Sequence, residues 1–283
     1  MQITVGLKEA ISNGKRWGRD NMELKQFEKL LEYNNGLKLD DNLIIFNDLE
    51  LYDMKKDKSI NFKDYDEFYS YKIDKKTIGD IIKNTKEFIF ELEGGRGSGS
   101  SNTQMGGGFT SASQRGRKAE DYGATQFPAR INTGSQRYKS YEQTLKNFEK
   151  LYKDAKIEYG ASIDENGYAT QLIKGASTSV PIQGKRGEMA IHNHPSGGNF
   201  SKADLISTAM SQEKGLVAVG SNVNKDRMRY TITKNKNFKA KEFVKAVNKA
   251  QWPKEYSYDK GADWWLRKNA KTYGYTYSAK KIK

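Results

Sequence analysis

Between Gly94 and Arg117 the chain reads GGRGSGSSNTQMGGGFTSASQRGR, a stretch of glycine, serine and polar residues with almost nothing to bury. It divides the 283 residues into two segments, each long enough for a core of its own. The expected layout is a small α+β domain over 1–93, a flexible Gly/Ser-rich linker over 94–118, an α/β domain over 138–252, and a basic aromatic extension over 253–283. The glycines of the linker do not read as a phosphate-binding loop. No Gly-Lys-Ser/Thr follows them, and no strand–loop–helix pattern surrounds them. A stretch so poor in core residues is where a protease would cut first.

Charge is as unevenly placed as apolarity. Lys and Arg number 49 against 35 Asp and Glu, a formal net charge of +14. Residues 1–93 carry 16 basic and 19 acidic side chains, so the remainder holds 33 against 16. A basic C-terminal half favours polyanionic partners, nucleic acid among them, or is simply a solvated surface; it governs association and says nothing of chemistry. No segment has the roughly 18 apolar residues a membrane span needs, and MQITVGLKEAISNGKR lacks the apolar region of a signal peptide. No membrane partner is expected, and the expected compartment is the cytoplasm.

The first segment alternates between helical and extended patterns. Met22–Tyr33 places Leu24, Phe27, Leu30 and Leu31 on one helical face. Residues 42–54 and 60–73 are rich in β-branched and aromatic residues, and 76–90 has a helix-or-strand pattern around Ile78, Ile81, Ile82, Phe88 and Phe90. Its acidic residues have no ligand spacing and it contains no histidine, so a docking or assembly role is expected.

In the second segment Tyr138–Lys156 sets Tyr141, Leu145, Phe148, Leu151 and Tyr152 on one helical face. The period then becomes two over 157–163. Asp164-Glu165-Asn166-Gly167 supplies a turn before Tyr168–Lys174, which reads as a hairpin. Strands are expected at 178–182, 215–220 and 228–233, and a helix at 238–252 with Phe243, Val244 and Val247 inward.

The chain has no cysteine, which removes disulfides, thiolate zinc sites and cysteine nucleophiles, and leaves histidine and carboxylate as metal ligands. Its only two histidines, His192 and His194, stand two apart beside the extended Met189–Ile191. On a strand such residues share a face and can converge on one ion; on a helix they would diverge by about 200°. Pro195 ends the strand, Ser196-Gly197-Gly198-Asn199 turns the chain, and Ser201-Lys202-Ala203-Asp204 opens a helix. Asp204 thus lies in a first helical turn near the strand end. Two histidines and one carboxylate leave a fourth tetrahedral position open for water. Ser201-x-x-Asp204 is also a helix N-cap, so Asp204 has a structural explanation of its own.

His192-Asn193-His194-Pro195 followed by Ser201-x-x-Asp204 resembles the signature of the JAB/MPN (JAMM) metalloproteases over about residues 138–235. The wording is closer to RadC-like proteins, and to JAB domains of phages and bacterial mobile elements, than to eukaryotic deubiquitinases. His194 and Asp204 stand one residue closer together than in most members. The resemblance implies an α/β/α fold with His192, His194 and Asp204 as ligands of one Zn2+, and Ser201 stabilising the oxyanion. It also implies an upstream glutamate that takes the proton of the nucleophilic water. Glu158, at the start of a separate strand, is preferred for that role. Glu188 shares the histidines' strand face but lies about 13 Å from His192 along an extended chain. The implied reaction is hydrolysis of a peptide or isopeptide bond in a protein or peptide substrate.

The other reading is a non-catalytic or DNA-associated RadC-like or virion protein that uses the fold and its basic C-terminal region for nucleic-acid or assembly binding. A bacterial cytoplasm suits both, with virion association if the chain is phage-encoded. Residues 205–283 hold 18 basic and 6 acidic side chains interleaved with Trp264, Trp265, Tyr273, Tyr275 and Tyr277. These aromatics either stack on bases or anchor a terminal helix to the domain, and anchoring is preferred.

Overall fold

The computed structural model describes residues 24–84 and 140–282, apart from 41, 181, 183 and 223. The Gly/Ser run and the Phe88–Phe90 pattern lie outside the described residues. No helix among those described is long and apolar enough to cross a membrane.

The first unit is a four-stranded antiparallel meander of β1 (Gly36–Lys38), β2 (Leu43–Phe46), β3 (Glu50–Asp53) and β4 (Lys58–Asn61). Helices α1 (Leu24–Tyr33), α2 (Tyr65–Ser70) and α3 (Ile78–Asn84) accompany it, with a two-stranded ribbon of β5 (Lys72–Ile73) and β6 (Lys76–Thr77) between α2 and α3. The amphipathic face of α1 buries Phe27 and Leu31 against Leu37, Ile45, Leu51, Phe68, Ile78 and Ile82. Residues 65–70, within a stretch expected from its aromatics to be extended, are helical. Asp64 accepts the N–H of Glu67 as an N-cap, and Asp66 and Glu67 favour the helix dipole, which outweighs the β preference of Tyr65, Phe68 and Tyr69.

The second unit is a six-stranded sheet between helical layers, ordered β12 (Tyr275–Lys281), β11 (Arg227–Lys234), β10 (Gly215–Ser221), β9 (Met189–Asn193), β7 (Tyr159–Ile163), β8 (Ala169–Lys174). Only β9 and β10 are parallel, and the crossover between them carries α5 (Lys202–Met210). α4 (Tyr141–Tyr152) packs Leu145, Phe148 and Tyr152 against Ala161, Ile163, Ile191, Val217 and Val219. On the other face α5, α6 (Ala240–Asn248) and α7 (Tyr258–Tyr273) cover Ala190, Leu216, Ala218 and Ile232. Alternate residues of β9 and β10 therefore serve opposite cores, as period two requires.

The expected hairpin forms at Asp164–Gly167. The Asp164 carboxylate accepts the N–H groups of Asn166 and Tyr168, and Gly167 takes a φ of 85°. The strand expected at 178–182 does not form: of its described residues only Val180 makes a bridge, and the segment packs as a loop over Gly160. The described residues 253–282 of the expected extension belong to the domain. β12 is the edge strand of the sheet, and α7 buries Trp265 and Leu266 in the shared core. The Trp265 ring stacks on Tyr273, while Lys268 covers Trp264 at 4.6 Å.

The two units share a core and a charged seam. Ile44, Phe46 and Tyr52, on the face of the meander away from its helices, join the core that contains Val244 and Val247. Lys241, Lys245 and Lys249, spaced by four along α6 and its end, meet acidic groups of the first unit: Lys241 binds Asp48 and Glu50, Lys245 binds Glu50, and Lys249 binds Asp57. Asn248 donates to the Tyr52 hydroxyl and the Met54 carbonyl. Asn35 donates from its backbone to the Met210 carbonyl and from its side chain to that of Ala209, both at the end of α5.

Burial pushes the Glu50 carboxyl up, but its hydrogen bonds from Lys241 and Lys245 outweigh this and hold it at about 2, against 4.5 for a free glutamate. Because the folded value is the lower, its stabilisation is complete above about pH 5. It is lost as pH falls toward 2, and amounts to about 3 kcal/mol. Glu50→Gln is expected to lower the urea midpoint at pH 7 and to converge with the parent protein near pH 2. Equal midpoints of the two proteins at pH 7 would contradict it.

Candidate metal centre

Sheet register assembles the centre. On β9, Ala190 and His192 share the face covered by α5, and period two carries His194, one residue beyond the strand, to the same side. The backbone N–H of His194 donates to the Val219 carbonyl, which extends the pairing with β10. β7 runs antiparallel to β9 with Gly160 opposite His192, so the same register sets residue 158 across from residue 194. Glu158 is thereby brought beside the histidines. The neighbouring hairpin fixes its backbone: its N–H donates to Ala176 and its carbonyl accepts from Gly175, both at 2.7 Å.

Asp204 arrives from the opposite wall. Ser201 is the N-cap of α5, its hydroxyl accepting the Asp204 N–H at 3.1 Å while Asp204 Oδ2 accepts the Ser201 N–H at 2.8 Å. The Ser201 hydroxyl also donates to Oδ2 at 2.8 Å. The capping box and the ligand geometry are one arrangement: the bonds that start the helix also aim the carboxylate. Ser201 lines the cleft as expected of an oxyanion donor, but in this arrangement its hydroxyl proton is committed to Asp204.

The His192 and His194 Nε2 atoms lie 2.7 Å apart. Asp204 Oδ1 is 3.7 Å from the first and Oδ2 is 3.5 Å from the second. Neighbouring ligands of a tetrahedral zinc with nitrogen and oxygen donors stand about 3.3 Å apart; these distances, two of which run to different carboxylate oxygens, lie on either side of that value, and one donor atom from each residue falls within 4.8 Å of the others. The Gly198 carbonyl, 3.3 Å from His194 Nδ1, can only accept, so that nitrogen carries the proton and Nε2 presents its lone pair. Gly198 itself needs a φ of 100°, and a Cβ on Gly220 would lie 2.4 Å from its carbonyl oxygen. Two glycines thus fix the group that orients His194.

Burial alone would raise the Asp204 carboxyl, but the two imidazoles and the Ser201 N–H outweigh it and hold the group well below the usual carboxylate range. Glu158 behaves oppositely. Burial pushes it up to about 7, with His194 lowering and Asp204 raising it. A carboxyl poised near neutrality can both take and return a proton.

Glu188, the alternative to Glu158, lies elsewhere. Its carboxylate accepts from the Ser162 hydroxyl and the Lys185 N–H. Asn193 was not singled out in the sequence, yet it is 1 % exposed and brackets Glu158. Its Oδ1 accepts the Tyr159 N–H at 2.6 Å and its Nδ2 donates to the Ile157 carbonyl at 3.0 Å. An amide between two histidines, facing the core on the other side of a wholly buried strand, was the available signal.

These groups open onto a cleft of about 340 Å³ lined by Glu158, His194, Ser201 and Asp204, and beyond them by Gly198, Tyr258 and Asp259. No protein-family model, curated protein or solved structure matches the chain. A mixed α/β fold of this kind does not fix a function, whereas convergent side chains narrow it.

Proposed function

We propose that this protein is a zinc-dependent hydrolase of the JAB/JAMM type that cleaves a peptide or isopeptide bond with water as nucleophile. The observation that carries the proposal is the grouping of His192, His194 and Asp204. One donor atom from each lies within 4.8 Å of the others, beside a cleft lined by His194, Asp204 and Glu158. Two imidazoles and one carboxylate form a catalytic rather than a structural donor set, because a fourth position remains for water. Zinc, when bound, supplies Lewis acidity, bringing the pKa of water toward about 7 and polarising the scissile carbonyl.

The remaining work falls to the chain. Glu158 takes a proton from the attacking water as the carbon–oxygen bond forms, and returns it to the leaving amine as the carbon–nitrogen bond breaks. Asn193 holds the backbone on both sides of Glu158, and Ser201 holds Asp204. No nucleophilic side chain is required, which suits a chain without cysteine.

The test is zinc content together with cleavage of a peptide library. One zinc per chain and cleavage abolished by a chelator and restored by added zinc are expected. Stoichiometric zinc without cleavage, together with steeply salt-dependent DNA binding, would overturn the hydrolase in favour of a nucleic-acid-binding protein.

A further inference from the structure

We propose that Asp259 forms a subsite in the cleft that takes a positively charged group of the substrate within about one residue of the scissile bond. The inference rests on the hydrolase reading and adds the class of substrate. Among the described residues three carboxylates line the cleft, those of Glu158, Asp204 and Asp259, and no lysine or arginine does. In a chain of net charge +14, such a lining is a local departure from the surface as a whole, and a bound zinc would offset the charge of Asp204 but leave that of Asp259 for the substrate. Asp204 belongs to the ligand group and Glu158 to proton transfer. Asp259 is left over.

Its setting is defined on three sides. Asp259 Oδ1 accepts the Asn199 N–H at 2.8 Å, which fixes the carboxylate to the loop between His194 and Ser201. Among the described residues no lysine or arginine forms an ion pair with it, whereas Asp263, one turn further along α7, is paired with Arg267. A Cβ on Gly198 would stand 3.0 Å from Oδ1, so the glycine keeps this wall open, and the carbonyl of that glycine orients His194. Asp259 and the ligand His194 are therefore separated by a single residue. Tyr258 closes the side, its hydroxyl donating to the Phe200 carbonyl at 3.0 Å.

A second observation points to a ligand in the same space. Glu158 is only 7 % exposed and lines the cleft, yet its carboxylate has no hydrogen-bond partner among the described residues. Its carboxyl borders the cleft, so a ligand bound there can supply the partner that the chain does not. A substrate whose cation meets Asp259 and whose scissile amide lies by Glu158 satisfies both carboxylates. The cation is an ammonium or guanidinium, from a lysine or arginine side chain or from a free N-terminus.

The test uses binding as well as cleavage. Zinc-loaded Glu158→Gln protein is titrated by calorimetry with the peptides acetyl-Gly-Gly-Xaa-Gly-Gly-amide, Xaa being Lys, Arg, Gln or Glu. A parallel set has free N-termini. The Lys and Arg peptides are expected to bind roughly tenfold or more tightly than the Gln peptide. Adding Asp259→Asn, which keeps the Asn199 hydrogen bond, should erase the preference, and Asp259→Lys should turn it toward Glu. Tighter binding of the free-N-terminus peptides than of their acetylated counterparts, whatever Xaa is, would identify the terminal ammonium as the cation. Equal affinities across the peptides, or a preference that survives Asp259→Asn, would overturn the subsite. Cleavage of the same peptides by the unsubstituted protein separates the two proposals. Cleavage with no cation preference removes the subsite and leaves the hydrolase, and cation-selective binding without cleavage does the reverse.

Discussion

His192→Ala is expected to remove tight zinc binding and peptide hydrolysis together. Loss of an outer-shell partner of a metal ligand already costs roughly 10–100-fold in affinity. Loss of one of three ligands should cost more. His192 is 1 % exposed, so water does not readily replace its nitrogen, and the two ligands that remain no longer define a site. With several kcal/mol of transition-state stabilisation gone, hydrolysis should fall by more than about 10³-fold. His192 is the cleaner choice than Asp204, whose carboxylate also accepts the Ser201 N–H that begins α5. The measurement is zinc per chain after dialysis, with circular dichroism to show that the fold survives. Full zinc retention in a folded His192→Ala protein would remove this residue from the centre.

Glu158→Gln is expected to do something different: keep zinc at one per chain and lower hydrolysis by roughly 10²–10⁴-fold, the usual weight of a positioned acid–base group. Glutamine preserves the shape of the side chain but can neither take nor return the proton. Because the ligands are untouched, the variant should hold its substrate uncleaved, and pull-down with it is the direct route to a partner. Glu188→Gln provides the contrast. Its carboxylate is bonded to Ser162 and Lys185, away from the cleft lining, so hydrolysis should stay within about twofold of the parent value. If the two variants behaved alike, the choice of Glu158 would be wrong.

The part of the centre that depends on local spacing was legible in the sequence. A histidine pair at period two and an acidic first helical turn are short-range patterns, and the structure brings all three side chains together. Glu158 depended on something less local. It faces His194 only because β7 lies between β8 and β9 in the sheet, an order that no periodicity encodes. Asp259 was out of reach for the same reason: α7 is far along the chain and returns to the loop at Asn199 only through tertiary packing. The segments misread, 65–70 and 178–182, are short, and there a cap or a crossing loop outweighs residue preference. Charge was legible as an imbalance but not as a destination. Lys241, Lys245 and Lys249 belong to the basic half that the sequence directs toward polyanions, and they bind Asp48, Glu50 and Asp57 of this same chain.

The attachment of Asn35 to the last carbonyls of α5 makes that helix a strut with both ends fastened, one by Ser201 and the other by a residue from the far side of the Gly/Ser run. A chain trimmed to residues 140–282 would leave the acceptors of Ala209 and Met210 without those donors, and would bare the apolar patch now covered by Ile44, Phe46 and Tyr52. Fraying from that end would have only about 9 Å of helix to travel before reaching Asp204. The N-terminal unit is thus a buttress to the second unit, and the two halves are not interchangeable modules.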